Sequence, residues 1–577
     1  MHTFRVWATL PKQVEVQVSG RNHAMQRDQH GWWKAEVASA GPGSDYGFVL
    51  DGEGPFPDPR SPCQPNGVHA LSRVVAHDGF KWSDAGFRAP PLAAAVIYEL
   101  HIGTFTPEGT FESAIGKLDH LVQLGITQVE LMPVAEFSGQ HGWGYDGVDV
   151  FAPHQAYGGP EALKKLVNAC HARGLAVLLD VVYNHLGPSG NYLAKYAPYF
   201  NDRYHTPWGW ALNFDGPHSD EVRRFFCDNA LMWLRDYHFD GLRLDAVHAI
   251  FDMSARPFLE QLGDEVRALS RQTGRPLLII PESDLNDPRL LWPPEHGGFS
   301  LDAQWSDDFH HALHAVLTGE RTGYYRGFGK MADLAKALHN AYVYDGQFSE
   351  ARHRCHGRPP TGLDGHRFLG YAQTHDQVGN RAQGERLSQL VNLGRLKTAA
   401  ALVLASPFVP MLFQGEEWGA STPFQYFTDH PEPDLAKAVR EGRRKEFAAF
   451  GWKAEDIPDP QSPETFQRSK LNWEELVREP HAGLLDWHRQ LIKLRQSEPA
   501  LSDGRREAVQ TRFDAGAGWL MVERGPIIVV CLVSDRAQHV PLGEEGPIIL
   551  LASDTSIRVD GSSITMPPDS VAILRRR

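Results

Sequence analysis

Leu175-Ala176-Val177-Leu178-Leu179-Asp180-Val181-Val182-Tyr183-Asn184-His185 is an apolar run broken by one carboxylate and closed by polar side chains. A strand buried on both faces reads this way, as in a parallel sheet covered by helices. Upstream lies a helical period, Ala162, Leu163, Leu166, Val167 and Cys170, stopped by Gly174. Downstream, Val222, Phe225, Phe226, Ala230, Trp233 and Leu234 form another apolar stripe, which leads into Gly241-Leu242-Arg243-Leu244-Asp245. The same alternation extends both ways. Strands are expected over 95–100, 128–132, 175–182, 241–245, 277–281, 299–304, 368–372 and 409–413. Eight such strands, mostly separated by helices, favour a (β/α)8 TIM barrel over a doubly wound sheet. A helix over 483–496 should close it.

The flanks have a different texture. Residues 1–90 alternate with period two, as in Val14-Glu15-Val16-Gln17-Val18, and are punctuated by Gly and Pro. They predict an N-terminal β-sandwich, resembling a carbohydrate-binding module. The catalytic barrel is expected over 91–497. Short apolar runs return over 498–577 and predict a C-terminal β-sandwich.

Composition narrows the chemistry. The chain has 577 residues and a net charge of −14, with 42% hydrophobic and 22% charged residues. That usage excludes a disordered chain, and the acidity disfavours nucleic acid or an anionic membrane as partner. Five cysteines at long spacings, without C-x-x-C, predict neither a disulfide framework nor a zinc knuckle. No basic leader with a long apolar stretch opens the chain. These features predict a soluble, cytoplasmic protein. The 15 Trp, 16 Tyr and 29 Phe could fill cores or stack on a ligand.

The polar ends of the apolar strands carry the chemistry. In a barrel, such a residue faces the active mouth, and long post-strand loops surround it. Asp180 closes the third strand, Asp245 the fourth and Glu282 the fifth, while Asp376 follows the seventh. His185, Arg243, His248 and His375 accompany them. Carboxylates gathered on one rim need partners, and glycoside hydrolysis needs such a set: one carboxylate nucleophile, one carboxylic acid and groups that grip hydroxyls.

Asp180-Val-Val-Tyr-Asn184-His185, Gly241-Leu-Arg243-Leu-Asp245, Pro281-Glu282 and His375-Asp376 resemble, in order, the four sequence regions of the α-amylase superfamily, glycoside hydrolase family 13. The resemblance implies Asp245 as nucleophile, Glu282 as general acid/base and Asp376 as the third carboxylate. Arg243 would keep Asp245 ionised, and Asp180 would support Arg243. His185 and His375 would bond the sugar, with Tyr145 as the platform beneath it. Longer stretches, among them Tyr98-Glu-Leu-His101-Ile-Gly-Thr-Phe105 and Phe413-Gln-Gly-Glu416-Glu417-Trp418, resemble trehalose-releasing members of the superfamily. That implies cleavage of the α-1,4 bond beside a terminal trehalose on a neutral oligosaccharide, working with a synthase that makes the substrate. Tyr325, Trp305, Asp308, Glu417 and Phe424, in post-strand loops of these stretches, are nominated to grip trehalose. A branching or debranching enzyme, or an inactive glycan-binding relative, remains as alternative.

Other signals are weaker. Gly142-Trp-Gly144-Tyr-Asp-Gly147 spells G-x-G-x-x-G but neither directly follows a strand nor opens a helix, so no dinucleotide site is expected. His310 and His311 are adjacent on a helix and point apart. Some amylases hold calcium near the first region, but the stretch after His185 offers no oxygen cluster beyond Asn184. No metal and no cofactor are predicted.

Overall fold

The computed structural model describes residues 1–448, 452–543 and 546–577. Its centre is an eight-stranded parallel sheet. The strands are β1 (Ile97–Leu100), β2 (Gln128–Leu131), β3 (Ala176–Val181), β4 (Gly241–Leu244), β5 (Leu278–Pro281), β6 (Gln304–Trp305), β7 (Phe368–Tyr371) and β8 (Val409–Phe413). The hydrogen-bonded order is β5-β4-β3-β2-β1-β8-β7-β6. β1 pairs with β8 (Met411 opposite Ile97), so the sheet curls into a nearly closed barrel. The expected fold class therefore holds.

The seam lies between β5 and β6, and Asp302 bridges it. Asp302 N–H donates to Ile279 O at 2.9 Å, and Ile279 N–H donates to Asp302 Oδ2 at 2.7 Å. This seam also explains why β6 is shorter than the expected 299–304. Phe299, Ser300 and Leu301 donate their N–H groups to Arg289, Trp292 and Leu290 carbonyls, so they belong to the preceding loop.

Helices cover the outside. Gly159–His171 buries Leu163, Leu166, Val167 and Cys170, with Pro160 in its first turn, where a missing N–H costs nothing. Ser219–Asp236 buries Phe225, Phe226, Trp233 and Leu234, with acids at its start and Arg235 at its end, complementing the helix dipole. His481–Ser497 closes the barrel. It packs so near Gly125 that a Cβ there would meet Ile492 Cγ2 at 2.7 Å; Gly125 also ends Leu118–Leu124 with φ 97°.

Antiparallel sheets flank the barrel at both ends. The N-terminal ones include His2–Trp7 on Trp32–Val37 and Val14–Val18 on Asp45–Leu50. The C-terminal one runs in the order Val509–Asp514, Trp519–Arg524, Ile527–Leu532, Ser570–Arg575, Ile548–Ala552. A three-stranded sheet faces it across a core of Ile528, Val530, Val540, Ile564 and Met566. No helix among the described residues is long and apolar enough to cross a membrane.

Candidate active site

Arg243, fully buried on β4, organises the barrel mouth. Its Nη1 donates to Asp180 Oδ2 at 2.7 Å and to Asp245 Oδ1 at 2.9 Å, and its Nη2 lies 3.5 Å from Glu282 Oε2. Trp305 lies beneath, its ring 4.3 Å from the guanidinium carbon. The backbone follows the same plan. Ala246, directly after Asp245, takes a left-handed φ of 39°. A residue with a Cβ adopts that conformation at a cost. It turns the Ala246 N–H toward Glu282 Oε2 at 2.7 Å. Asn184 donates to both the carbonyl and Oδ2 of Asp245 at 2.8 Å.

Tyr145 caps this floor. Gly144 lets it do so: at φ 96°, a Cβ there would lie 2.2 Å from Pro133 O. The phenol bonds Asp180 Oδ2 at 2.6 Å and His375 Nε2 at 2.7 Å, and the two rings stack at 5.2 Å. Above the floor opens a cleft of about 1440 Å³, lined by Tyr145, His185, Asp245, His248, Glu282 and Asp376 on one side. The loop 321–324, Arg352 and the helix Pro433–Ala448 (Leu435, Val439, Arg443) form the other wall.

This constellation suits glycosyl chemistry, and the comparisons agree. The α-amylase catalytic-domain family matches residues 77–211. The malto-oligosyltrehalose trehalohydrolase of Rhizobium sp. (strain M-11) is 51% identical over 581 residues, covering 99% of this chain and 97% of its own. That of Arthrobacter ramosus is 50% identical over 578 residues, covering 99% of each. The chain belongs to the malto-oligosyltrehalose trehalohydrolase family. A crystal structure from Salmonella typhimurium, described as a candidate alpha amylase, superposes with a TM-score of 0.92 at 40% identity, covering 100% of this chain and 97% of that one.

In this trehalohydrolase-family site burial raises three carboxyls to different degrees. Burial pushes Glu282 up to about 8; Arg243 opposes the rise, while Asp245, Asp307 and Asp376 add to it. Burial raises Asp180 to about 6, with Arg243 limiting the shift. Burial also raises Asp307 to about 7, against a hydrogen bond donated by Tyr371 at 2.5 Å. A proton held near neutrality on one of several clustered acids is the pattern of an acid/base pair.

The structure brings Asp245, Glu282, Asp376, Tyr145, His185 and His248 to the cleft, with Asp180 and Arg243 just beneath. His375 is 1% exposed and bonds Tyr145 rather than opening onto the cleft. The nominated trehalose set does not line the cleft. Trp305 is packed under Arg243. Asp308 accepts from Asn286 and from the Val343 and Tyr344 N–H groups, pinning a loop. Glu417 accepts from Tyr98 and His120 behind the barrel wall. Phe424 stacks on the back of Trp143 at 5.3 Å, and Tyr325 stacks on His314 at 4.0 Å. All five are buried; for Tyr325 and Asp308 the preceding residue reaches the cleft instead. Tyr324 lines the cleft where Tyr325 was expected, and Asp307 where Asp308 was. Trp208, stacked on His185 at 4.5 Å, was also missed; the Trp208-Gly209-Trp210 turn in a long post-strand loop was its only signal. Among the described residues, no group of three or more His, Cys, Asp or Glu is placed to hold a metal ion.

Proposed function

We propose that the cleft cleaves the α-1,4-glucosidic bond next to the terminal trehalose of a maltooligosyltrehalose by a retaining double displacement. The Asp245 carboxylate attacks the anomeric carbon. Glu282 gives its proton to the departing glycosidic oxygen, which leaves as the 4-hydroxyl of free trehalose. The β-linked ester on Asp245 is then opened by water, whose proton returns to Glu282, and an α-configured maltooligosaccharide departs. Two inversions give net retention.

The observation that carries this reading is the shared guanidinium of Arg243, 2.9 Å from Asp245 and 3.5 Å from Glu282, in a chain about 50% identical to trehalohydrolases over its full length. Its positive charge favours the ionised form of a neighbouring carboxylate. Glu282 accepts from the Ala246 N–H with one oxygen, leaving the other for the proton it transfers. Asp376, near the sugar position, would bond hydroxyls of the distorted ring. Tyr145 would stack beneath that ring, and His185 and His248 would border it. The substrate must come from an enzyme that converts the reducing end of a maltooligosaccharide into an α,α-1,1 link. A reducing cytoplasm suits the five unpaired cysteines.

Incubation with maltotriosyltrehalose should give trehalose and maltotriose, with the α anomer of maltotriose first by proton NMR. Absence of trehalose would overturn the substrate, and a β anomer would overturn the mechanism.

A further inference from the structure

Glu99 is a buried carboxylate in the middle of an apolar strand, and the hydrolytic scheme above gives it no task. It lies on β1, 1% exposed, and both its oxygens are directed at one residue. Oε2 accepts the backbone N–H of His375 at 3.0 Å, and Oε1 faces His375 Nδ1 at 2.5 Å. The other ring nitrogen, Nε2, meets the Tyr145 oxygen at 2.7 Å. That phenol also bonds Asp180 Oδ2 at 2.6 Å, and Asp180 accepts from Arg243, which in turn donates to Asp245.

Counting protons fixes the direction of this chain. Tyr145 has one hydroxyl proton. Facing an Asp180 carboxylate, it gives that proton to Asp180, so toward His375 its oxygen can only accept. His375 Nε2 must then carry a hydrogen. Nδ1 faces a carboxylate and must carry one as well. An imidazole with both nitrogens donating is an imidazolium.

We propose that Glu99 is a positioning residue that keeps His375 an imidazolium and so orients a hydrogen-bond relay running from β1 through Tyr145, Asp180 and Arg243 to Asp245. Other groups bear on the same ring. Asp376 on its own helix has Oδ1 3.5 Å from Nε2 and adds negative charge. His101 at the end of β1 is electrostatically coupled to it and is held neutral chiefly by burial, at about 3. Glu130 on β2 is also coupled; burial, then Glu99 and Asp180, raise it well above the ordinary carboxylate range. Trp143 and Trp305 present aromatic contacts at 5.6 and 6.1 Å. Burial alone would discharge His375, and the nearby Arg243 charge adds to that; Glu99 and Asp376 outweigh both and carry the ring to about 9. The device would lock Tyr145 and Asp180 in one hydrogen-bond polarity before substrate arrives, so no proton need be rearranged during attack by Asp245.

The test compares the wild-type enzyme with Glu99→Gln and Glu99→Asp. In histidine-labelled protein, with the signal assigned by its loss in His375→Asn, the wild-type ring should show both N–H protons up to about pH 8.5. In Glu99→Gln it should titrate near the ordinary histidine value of about 6.5. The wild-type to Glu99→Gln ratio of kcat on maltotriosyltrehalose should be close to one at about pH 5.5 and rise to tens-fold at about pH 8.5, since each pH unit above the pKa removes about tenfold of the protonated form. Glu99→Asp keeps the charge and should restore most alkaline activity. A kcat ratio flat with pH, or a wild-type His375 that titrates near 6.5, overturns the proposal. Should Glu99→Gln not fold, wild-type titration decides. The kinetic arm rests on the hydrolytic reading of the cleft, whereas the titration needs no substrate. Failure of that reading would appear as full turnover in Asp245→Asn with the imidazolium intact.

Discussion

The floor of the cleft and its far wall are built on opposite plans. On the floor, side chains from β3, β4 and β5 converge on one guanidinium, and their side-chain exposures are 1% for Asp180, 0% for Arg243, 13% for Asp245 and 12% for Glu282. At the entrance, Trp208 is 51% exposed in a hairpin turn and Tyr324 is 54% exposed in a short turn after the helix Asp307–Thr318. A barrel strand offers few directions for a carboxylate at its end, but the sheet fixes that aim through its neighbours. A loop can aim anywhere, and its side chains are held by a few local contacts. The floor therefore suits bond-making, which needs sub-ångström placement, and the wall suits gripping a disaccharide.

If the division is real, damage to the floor should destroy turnover and leave binding. Asp245→Asn keeps the shape and the Asn184 contact but removes the anion proposed as nucleophile. Its kcat should fall by roughly 10⁴-fold or more, by analogy with other covalent nucleophiles, while substrate still binds by calorimetry. Full turnover in this variant would move the chemistry elsewhere.

The next effect is on pH dependence. As the proposed general acid, Glu282, raised to about 8 first by burial, would have to be protonated to expel trehalose. Activity should therefore persist through neutrality and be lost as pH rises through about 8, by about tenfold per further pH unit. On the acid side, Asp180 at about 6 would take up a proton and weaken its hold on Arg243 as pH falls through that value. A kcat/KM profile with limbs near these two values sharpens the comparison. An alkaline limb unmoved in Glu282→Gln would remove Glu282 from the role.

The two plans also explain what could be read from sequence. Asp245 and Glu282 sit where an apolar run stops, and Asp180 interrupts one near its end, so strand periodicity placed them at the mouth. Glu99 escaped because it lies inside the apolar run 95–100, where a carboxylate looks like a strand-end interruption with no partner in sequence. Its partner His375 is 276 residues away. Two cleft positions are off by one residue: Tyr325 for Tyr324, and Asp308 for Asp307. Helix and turn geometry sends adjacent residues in different directions, and nothing in local sequence says which of two neighbours meets the cleft. The shortened β6 has the same origin, since only the tertiary contact of 299–301 with the loop 289–292 decides it.

The mildest expected effect falls on the wall and bears most directly on whether the two regions are separable. Glu320 accepts from Arg381 Nη1 and Nη2 at 2.9 Å each and from His314 Nε2 at 2.7 Å. It thereby ties the loop that carries Arg321 and Tyr324 to the segment following Asp376. Burial opposes its charge, but hydrogen bonds from His314 and Arg381 prevail and hold it at about 2. Glu320→Gln keeps the volume and loses the charge-assisted pairing, which is worth about 1–3 kcal/mol for such bonds before solvent screening at a half-buried site. KM for maltotriosyltrehalose should rise about three- to tenfold, with kcat within about twofold, because only ground-state grip is loosened. The pairing should also stabilise the fold at all pH values above the ordinary carboxylate range. That contribution is lost as pH falls from about 4.3 toward 2, so the melting difference between wild type and variant should shrink over that interval. A fall in kcat matching the rise in KM would mean that the staple reaches Asp376 itself, and wall and floor would then act as one unit.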